Sequence, residues 1–172
     1  NCPGVSQTFT ITVNPTPTMG ILTNQVLCNG TSTAAINFTG TATSYAWTNN
    51  TPTIGLSASG TGNIGAFAVV NASNSAAITA TLNVTPQFAN GGLTCSGAVQ
   101  QATIIVNPTP IITPNPDLTY CNSASTPVVS FAGTGNSYTW INNQTSIGLA
   151  ASGTGNIASF NASNPTTLPV IA

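Results

Sequence analysis

Four cysteines, Cys2, Cys28, Cys95 and Cys121, are the side chains whose spacing suggests covalent chemistry. Cys2 and Cys95 lie 93 residues apart, as do Cys28 and Cys121, so there are two per period. No CxxC pair and no His accompanies them, which favours disulfides over a metal site or a redox motif. Within one complete period the available pair is Cys28 with Cys95. A bond closing so long a loop typically contributes about 2 to 4 kcal/mol by restricting the unfolded chain. The alternative pairs, Cys2 with Cys28 and Cys95 with Cys121, would staple neighbouring units instead.

Other chemistry fails for want of side chains. Lys, Arg and His are absent, and Asp117 is the one acidic residue. A hydroxyl nucleophile has no base to activate it, and no pair of carboxylates can share acid and base roles. One carboxylate cannot build a calcium cage, which draws on several. The glycine-rich GTGN at 60–63 and 153–156 lacks the Lys and the following helix of a phosphate loop. Neither catalysis nor a cofactor nor a metal is expected. Without cations the electrostatic term that dominates nucleic-acid affinity is missing, so that partner class is excluded. No run approaches the roughly 18 consecutive apolar residues of a spanning helix. At 41% hydrophobic and almost neutral, the chain should fold rather than stay disordered. Near-zero net charge favours self-association. The lack of Lys and Arg also leaves trypsin-like proteases no site, which suits an extracellular setting. The chain begins at Asn1 without a charged and apolar leader, so any secretion signal is expected to have been removed or to lie outside this stretch.

The elements that position these residues repeat. ASGTGNI occurs at 58–64 and again at 151–157, and Trp47 and Trp140 share the same 93-residue offset. Residues 14–67 and 107–160 agree at 27 of 54 positions. The offset then falls to 90 if NASN at 71–74 is matched to NASN at 161–164, leaving 68–70 without a counterpart. A period of this length is that of a small domain rather than a solenoid turn. Pro-rich NPTP, at 14–17 and 107–110, reads as a stiff linker. The expected organisation is a terminal strand of a preceding repeat (1–13), a linker (14–17), a complete repeat (18–107), a linker (108–110) and an incomplete third repeat (111–172). On this alignment Ala172 matches Leu82, and the third repeat lacks equivalents of 83–106. Residues 1–13 match 94–106, the strand the third repeat misses. Either the chain is a window on a longer array, or the terminal strand of one subunit completes the open domain of the next.

Period-two alternation marks the strands. Phe9, Ile11 and Val13 share one face of FTITV, and Ala102, Ile104 and Val106 share one face of ATIIV. Ile78, Ala80, Leu82 and Val84 alternate with Thr79, Thr81, Asn83 and Thr85. Further candidates are AINF (35–38), SYAW (44–47) and AFAVV (66–70). About seven short strands in roughly 90 residues, with no helix, predict an all-β fold of tandem immunoglobulin-type sandwiches. Trp47 and Trp140 with Tyr45 and Tyr138 are the expected core aromatics. Gly60, Gly62 and Asn63, and Gly153, Gly155 and Asn156, are expected to make a tight turn that also serves as a contact loop. Sites of the form N-x-S/T fall at Asn29, Asn37, Asn49, Asn71, Asn83, Asn143 and Asn161, with Asn29, Asn71 and Asn161 the candidates for glycosylation.

NPTP, VLCNG (26–30), SYAWTNN (44–50), SGTGNI, and CSG (95–97) before ATIIVNPTP together resemble the PKD-like, immunoglobulin-like repeats of large surface proteins exported by gliding and related Bacteroidota. The resemblance spans essentially the whole chain. Where such repeats follow Tyr-x-Trp with Asp-rich sequence, this chain has Asn49 and Asn50, and Asn142 and Asn143, which keep the hydrogen bonds and discard the charge. The resemblance implies a secreted, cell-surface structural repeat of a filament, stalk or adhesin, with itself as the main partner. The rival expectations are a polysaccharide- or ice-binding adhesion module, read from the Thr and Asn faces, and a spacer in a larger exported enzyme.

Overall fold

The computed structural model describes residues 2–172, which form two compact units, one reaching to Pro108 and the second Thr109–Ala172. The division falls inside the second NPTP. Both units are β-structure joined by loops, with two single 3-10 turns, Pro52–Ile54 and Thr145–Ile147.

In the first unit β1 (Gln25–Cys28), β2 (Ser44–Asn49), β3 (Ser59–Thr61), β4 (Ile78–Asn90), β5 (Leu93–Ser96) and β6 (Gln100–Asn107) share one sheet. The strand order is β1-β6-β4-β2-β3, and β5 pairs with the far end of β4. β4 and β6 run antiparallel with Ile78 opposite Val106, Ala80 opposite Ile104 and Leu82 opposite Ala102. β1 lies parallel to β6, with Leu27 beside Val106 and Cys28 beside Asn107. The alternation in the sequence sets which face is buried. Ala80, Leu82, Val84, Ala102, Ile104 and Val106 are all buried, while Thr79 and Gln101 face water.

A second layer covers that face. Its segments touch through isolated bridges, Met19 to Gly40, Ser32 to Ala68 and Ile36 to Ile64, rather than through full ladders. AINF and AFAVV, expected as strands, are therefore only bridged. Side chains take the place of ladder bonds in them: Asn63 Oδ1 accepts the Phe38 N–H at 2.8 Å, and Thr33 Oγ1 accepts the Phe67 N–H at 3.1 Å. Ile36, Phe38, Ile64 and Val69 from this layer, with Ile54 from the first 3-10 turn, pack on the sheet in a single apolar cluster that includes Trp47.

Residues 2–13, expected as a strand, have no sheet partner. Phe9, Ile11 and Val13 are 85%, 75% and 85% exposed. The place that the FTITV pattern would fill in the first unit is already taken by β6, its counterpart 93 residues on.

The second unit repeats part of this plan with β7 (Ile112–Thr113) paired to β8 (Ala132–Gly133), and β9 (Thr139–Ile141) paired to β10 (Ser152–Thr154). Its bridges, Ser125 to Asn161 and Val129 to Ile157, fall 93 residues after Ser32 to Ala68 and Ile36 to Ile64. These bridges correct the alignment read from NASN. Asn71 N–H donates to Asn29 Oδ1 at 2.8 Å and Asn71 Oδ1 accepts the Ser73 N–H, while Asn164 makes the same two bonds with Asn122 and Thr166. Asn164, not Asn161, is thus the counterpart of Asn71, and the 93-residue offset persists. The Nδ2 groups then reach Ala76 O and Leu168 O, so the following loop is one residue shorter in the second unit. Counting four residues on from each acceptor makes Ala172 the counterpart of Ala80 rather than Leu82.

Residues 109–172 include no counterpart of β6 or of most of β4, and the inward face of this stretch is partly uncovered. Ile54 and Ile64 are buried, whereas Ile147 and Ile157 are only half-buried. Among its residues Thr126 and Asn142 alone are buried. The β4/β6 pair therefore carries the first unit's stability. Leu82→Ala is expected to cost about 2 to 5 kcal/mol in urea unfolding of the first unit, and exposed Ile11→Ala less than about 0.5 kcal/mol.

Candidate functional site

The repeated heptapeptide sits beside the Trp. β2 and β3 place Trp47 opposite Gly60, and β9 and β10 place Trp140 opposite Gly153. A Cβ on Gly60 would lie 2.2 Å from Trp47 Cζ2, and one on Gly153 would lie 2.2 Å from Trp140 Cζ2. These glycines are required by the indole that lies over them. They belong to strands and lack the positive φ expected of a turn, which is a correction to their reading as turn residues. The turn falls one step later, at Gly62 with φ 71 and Gly155 with φ 70, whose N–H groups donate to Tyr45 O and Tyr138 O at 2.9 Å. Asn63 and Asn156 are not free contact residues either, since their Oδ1 atoms accept the N–H groups of Phe38 and Phe131 at 2.8 and 3.0 Å.

Trp47 is buried and Trp140 half-buried, as are Tyr45 and Tyr138, each packed against a Phe with ring centroids 5.3 Å (Phe38–Tyr45) and 5.9 Å (Phe131–Tyr138) apart. Trp47 Nε1–H donates to Gly62 O at 3.1 Å. Trp140 Nε1 is buried without a partner, a cost the first unit avoids.

The cysteines are all free thiols. The Cys28–Cys95 pairing is overturned by register. Cys28 lies beside Asn107, next to the Ile78 end of β4, whereas Cys95 lies opposite Phe88. Ten residues of strand separate Ile78 from Phe88, on the order of 30 Å at the rise of a β-strand. A disulfide needs Cα atoms within about 7 Å. Cys2 with Cys28 and Cys95 with Cys121 are not bonded within the chain either. Cys28 and Cys95 instead mark opposite ends of the first unit. Cys28 is at the end where residues 107–110 leave, and Cys95 is at the end where residues 14–17 enter, since Asn14 is bonded to Asn90 and Pro17 O lies against Gly97.

Two of the sites considered for glycans are structural. Asn71 is buried, and its Nδ2 donates to Ala76 O at 2.9 Å and Val106 O at 2.8 Å, so a sugar there would remove one of these donors and has no room at a buried atom, which argues against glycosylation at Asn71. Asn29 is half-buried with its Oδ1 engaged by the Asn71 N–H. Asn161 is exposed. Asn49 and Asn142 are buried clamps, whose Nδ2 groups donate to Leu56 O and Leu149 O at 2.9 and 3.0 Å.

A groove of about 660 Å³ in the second unit is lined by Ile147, Leu149, Val129, Ile157, Phe160 and Asp117 among others. Ile54, Leu56, Ile64 and Phe67, the first-unit counterparts of four of these residues, are covered by or packed on the core that includes β4 and β6. The groove is lined by apolar side chains together with Thr126, Asn122, Ser163 and Asn164, and sequence reasoning anticipated it only as missing strands. Among the described residues no three His, Cys, Asp or Glu come together, and no helix is long and apolar enough to cross a membrane.

No family model, curated protein or solved structure matches the chain.

Gly60→Ala is expected to lower the unfolding midpoint of the first unit by crowding Trp47, while Gly65→Ala, with open space around its Cβ and ordinary φ, leaves it unchanged in circular-dichroism melts. Thiol titration of the native chain should count four reactive groups, with half-buried Cys95 slowest, and non-reducing peptide mapping should yield no Cys28–Cys95 product.

Proposed function

We propose that the chain is a stretch of tandem immunoglobulin-like, PKD-like repeats acting as a structural unit of an extracellular filament, stalk or surface adhesin. The supporting observation is that the same backbone and Asn bonds recur 93 residues apart in two units whose described residues bring together no metal-binding cluster and include Asp117 as the one charged side chain. Asn49 and Asn142, Asn63 and Asn156, and Asn71 and Asn164 occupy equivalent hydrogen-bonding positions. Repetition of a fixed scaffold without reactive groups suits a load-bearing or spacing role.

The outer face of the sheet fits this reading. Thr81 lies opposite Thr103, and Gln101 Nε2 donates to Asn83 Oδ1 at 2.7 Å, so its polar groups partly satisfy one another. Contacts between such surfaces depend on hydrogen bonds and apolar burial, which salt screens little. Particles of the full-length protein imaged by electron microscopy should show a row of similar globules. Their association should be the same at low and at molar sodium chloride. Isolated compact particles, or assemblies dissolved by salt with the units still folded, would contradict the proposal.

A further inference from the structure

The repeated ASGTGNI places a short strand at a free sheet edge in both units. β2 has β4 on its other side, so β3 ends the sheet of the first unit, and β10 stands beside β9 as β3 stands beside β2. The Gly62 N–H donates to Tyr45 O, and Ala58 O accepts the Asn49 N–H. Bonded and non-bonded positions alternate along an antiparallel pair, so Ala58, Gly60 and Gly62 turn their backbone groups toward β2. Those of Ser59 and Thr61 turn outward. In the second unit the Gly155 N–H bond to Tyr138 O and the Asn142 N–H bond to Ala151 O set the same pattern, with Ser152 and Thr154 outward. These four residues are exposed, and no described strand pairs with their outward side.

Proteins blunt such edges with Lys, Pro, bulges or a covering segment. β3 and β10 both read Ser-Gly-Thr and carry no charge and no Pro. At the opposite edge of the first sheet the Gln25 side chain binds both the N–H and the carbonyl of Ala34, tying β1 to the covering layer. β3 has no such tie.

We propose that β3 and β10 are strand-pairing edges, each joining antiparallel to the same edge of another copy of this chain. The inference deepens the structural-repeat reading by naming a lateral contact between copies.

The edge is its own complement. With Gly60 of one copy opposite Gly60 of the next, Ser59 faces Thr61 of the neighbouring copy and Thr61 faces its Ser59. Both residues point their N–H and C=O outward, so both pairs are bonded and the joint closes four backbone hydrogen bonds. A one-residue slip sets outward groups against inward ones and loses them. Each bonded pair also brings a Ser hydroxyl beside a Thr hydroxyl, with no like charges to repel. The facing glycines present no side chain to the joint, because the space a Cβ would need belongs to the Trp47 indole. The heptapeptide is identical in the two units, so β3 pairs equally well with β3 or with β10. Two edges per chain carry association beyond a dimer.

Analytical ultracentrifugation of the 172-residue chain tests the proposal. Species heavier than the 17.2 kDa monomer should build up as concentration rises. Lys at all four outward positions, Ser59→Lys, Thr61→Lys, Ser152→Lys and Thr154→Lys, sets like charges opposite one another and should return the monomer. Glu at the same four positions should do the same. An equal mixture of the two variants sets Lys opposite Glu and should associate again. Four lysines away from this edge, Val26→Lys, Thr79→Lys, Gln101→Lys and Asn107→Lys, add the same charge at exposed positions and should leave association as it was. Circular dichroism checks that each variant keeps its fold. A native chain that stays monomeric at every concentration, a Lys-edge variant that assembles like the native chain, a mixture that stays monomeric, or a control variant that falls apart equally would overturn the edge pairing. A row of globules in the image of the full-length protein would survive any of these results, so the repeat reading and the edge pairing fail separately.

Discussion

An apolar sheet face must be covered, and in this protein the strand pair β4/β6 does most of the covering. Six inward residues on that pair, Ala80, Leu82, Val84, Ala102, Ile104 and Val106, are essentially withdrawn from water, and everything around them is placed by contact with that face. At roughly 25 cal/mol per Å² of apolar area removed from water, such a face outweighs any single hydrogen bond in the fold. The second unit shows the consequence of its absence within the same chain. Many of its turn, bridge and Asn hydrogen bonds recur at equivalent positions, yet Ile147, Ile157 and Trp140 are more exposed than Ile54, Ile64 and Trp47. The turns and bridges thus form from local chemistry, while burial depends on the two long strands.

Charge plays almost no part in this arrangement, and Asn takes over much of what ion pairs do elsewhere. Asn carries both donor and acceptor, so one side chain can bind a carbonyl and an N–H at once. Asn49 holds Leu56 O and the Thr51 N–H, and Asn71 holds Ala76 O, Val106 O and the Ser73 N–H. These bonds close the connections on either side of the sheet without the desolvation cost of a buried ion. They explain why the chain tolerates so extreme a composition and why surface contacts between copies should respond little to ionic strength.

Much of the fold was legible in the sequence, for identifiable reasons. Strict alternation along 78–84 and 102–106 announced both the strands and the faces they bury, because a half-buried antiparallel strand leaves that trace. The 93-residue offset of the sequence is also the offset between the equivalent bridges Ser32 to Ala68 and Ser125 to Asn161. The cysteines misled, because a secreted-type spacing says nothing of register, and register puts Cys28 and Cys95 at opposite ends of the sheet. NASN misled for a similar reason: four shared letters at 71 and 161 outweighed the less visible match of Asn71 to Asn164, which only their hydrogen bonds disclose. Gly60 looked like a turn residue, and its reason lies across the sheet in the Trp47 indole, where no local pattern could show it.

The central claim is that the β4/β6 face, rather than the local hydrogen bonds, stabilises the first unit. Hydrogen–deuterium exchange in one dilute sample tests it directly, because the chain contains its own control. The N–H groups of Asn49, Gly62 and Ile64 donate to Ala58 O, Tyr45 O and Ile36 O, and those of Asn142, Gly155 and Ile157 donate to the equivalent Ala151 O, Tyr138 O and Val129 O, but only the first three belong to a unit with β4 and β6. The account predicts that the first three amides exchange far more slowly than the second three. Equal protection of the two sets would contradict it.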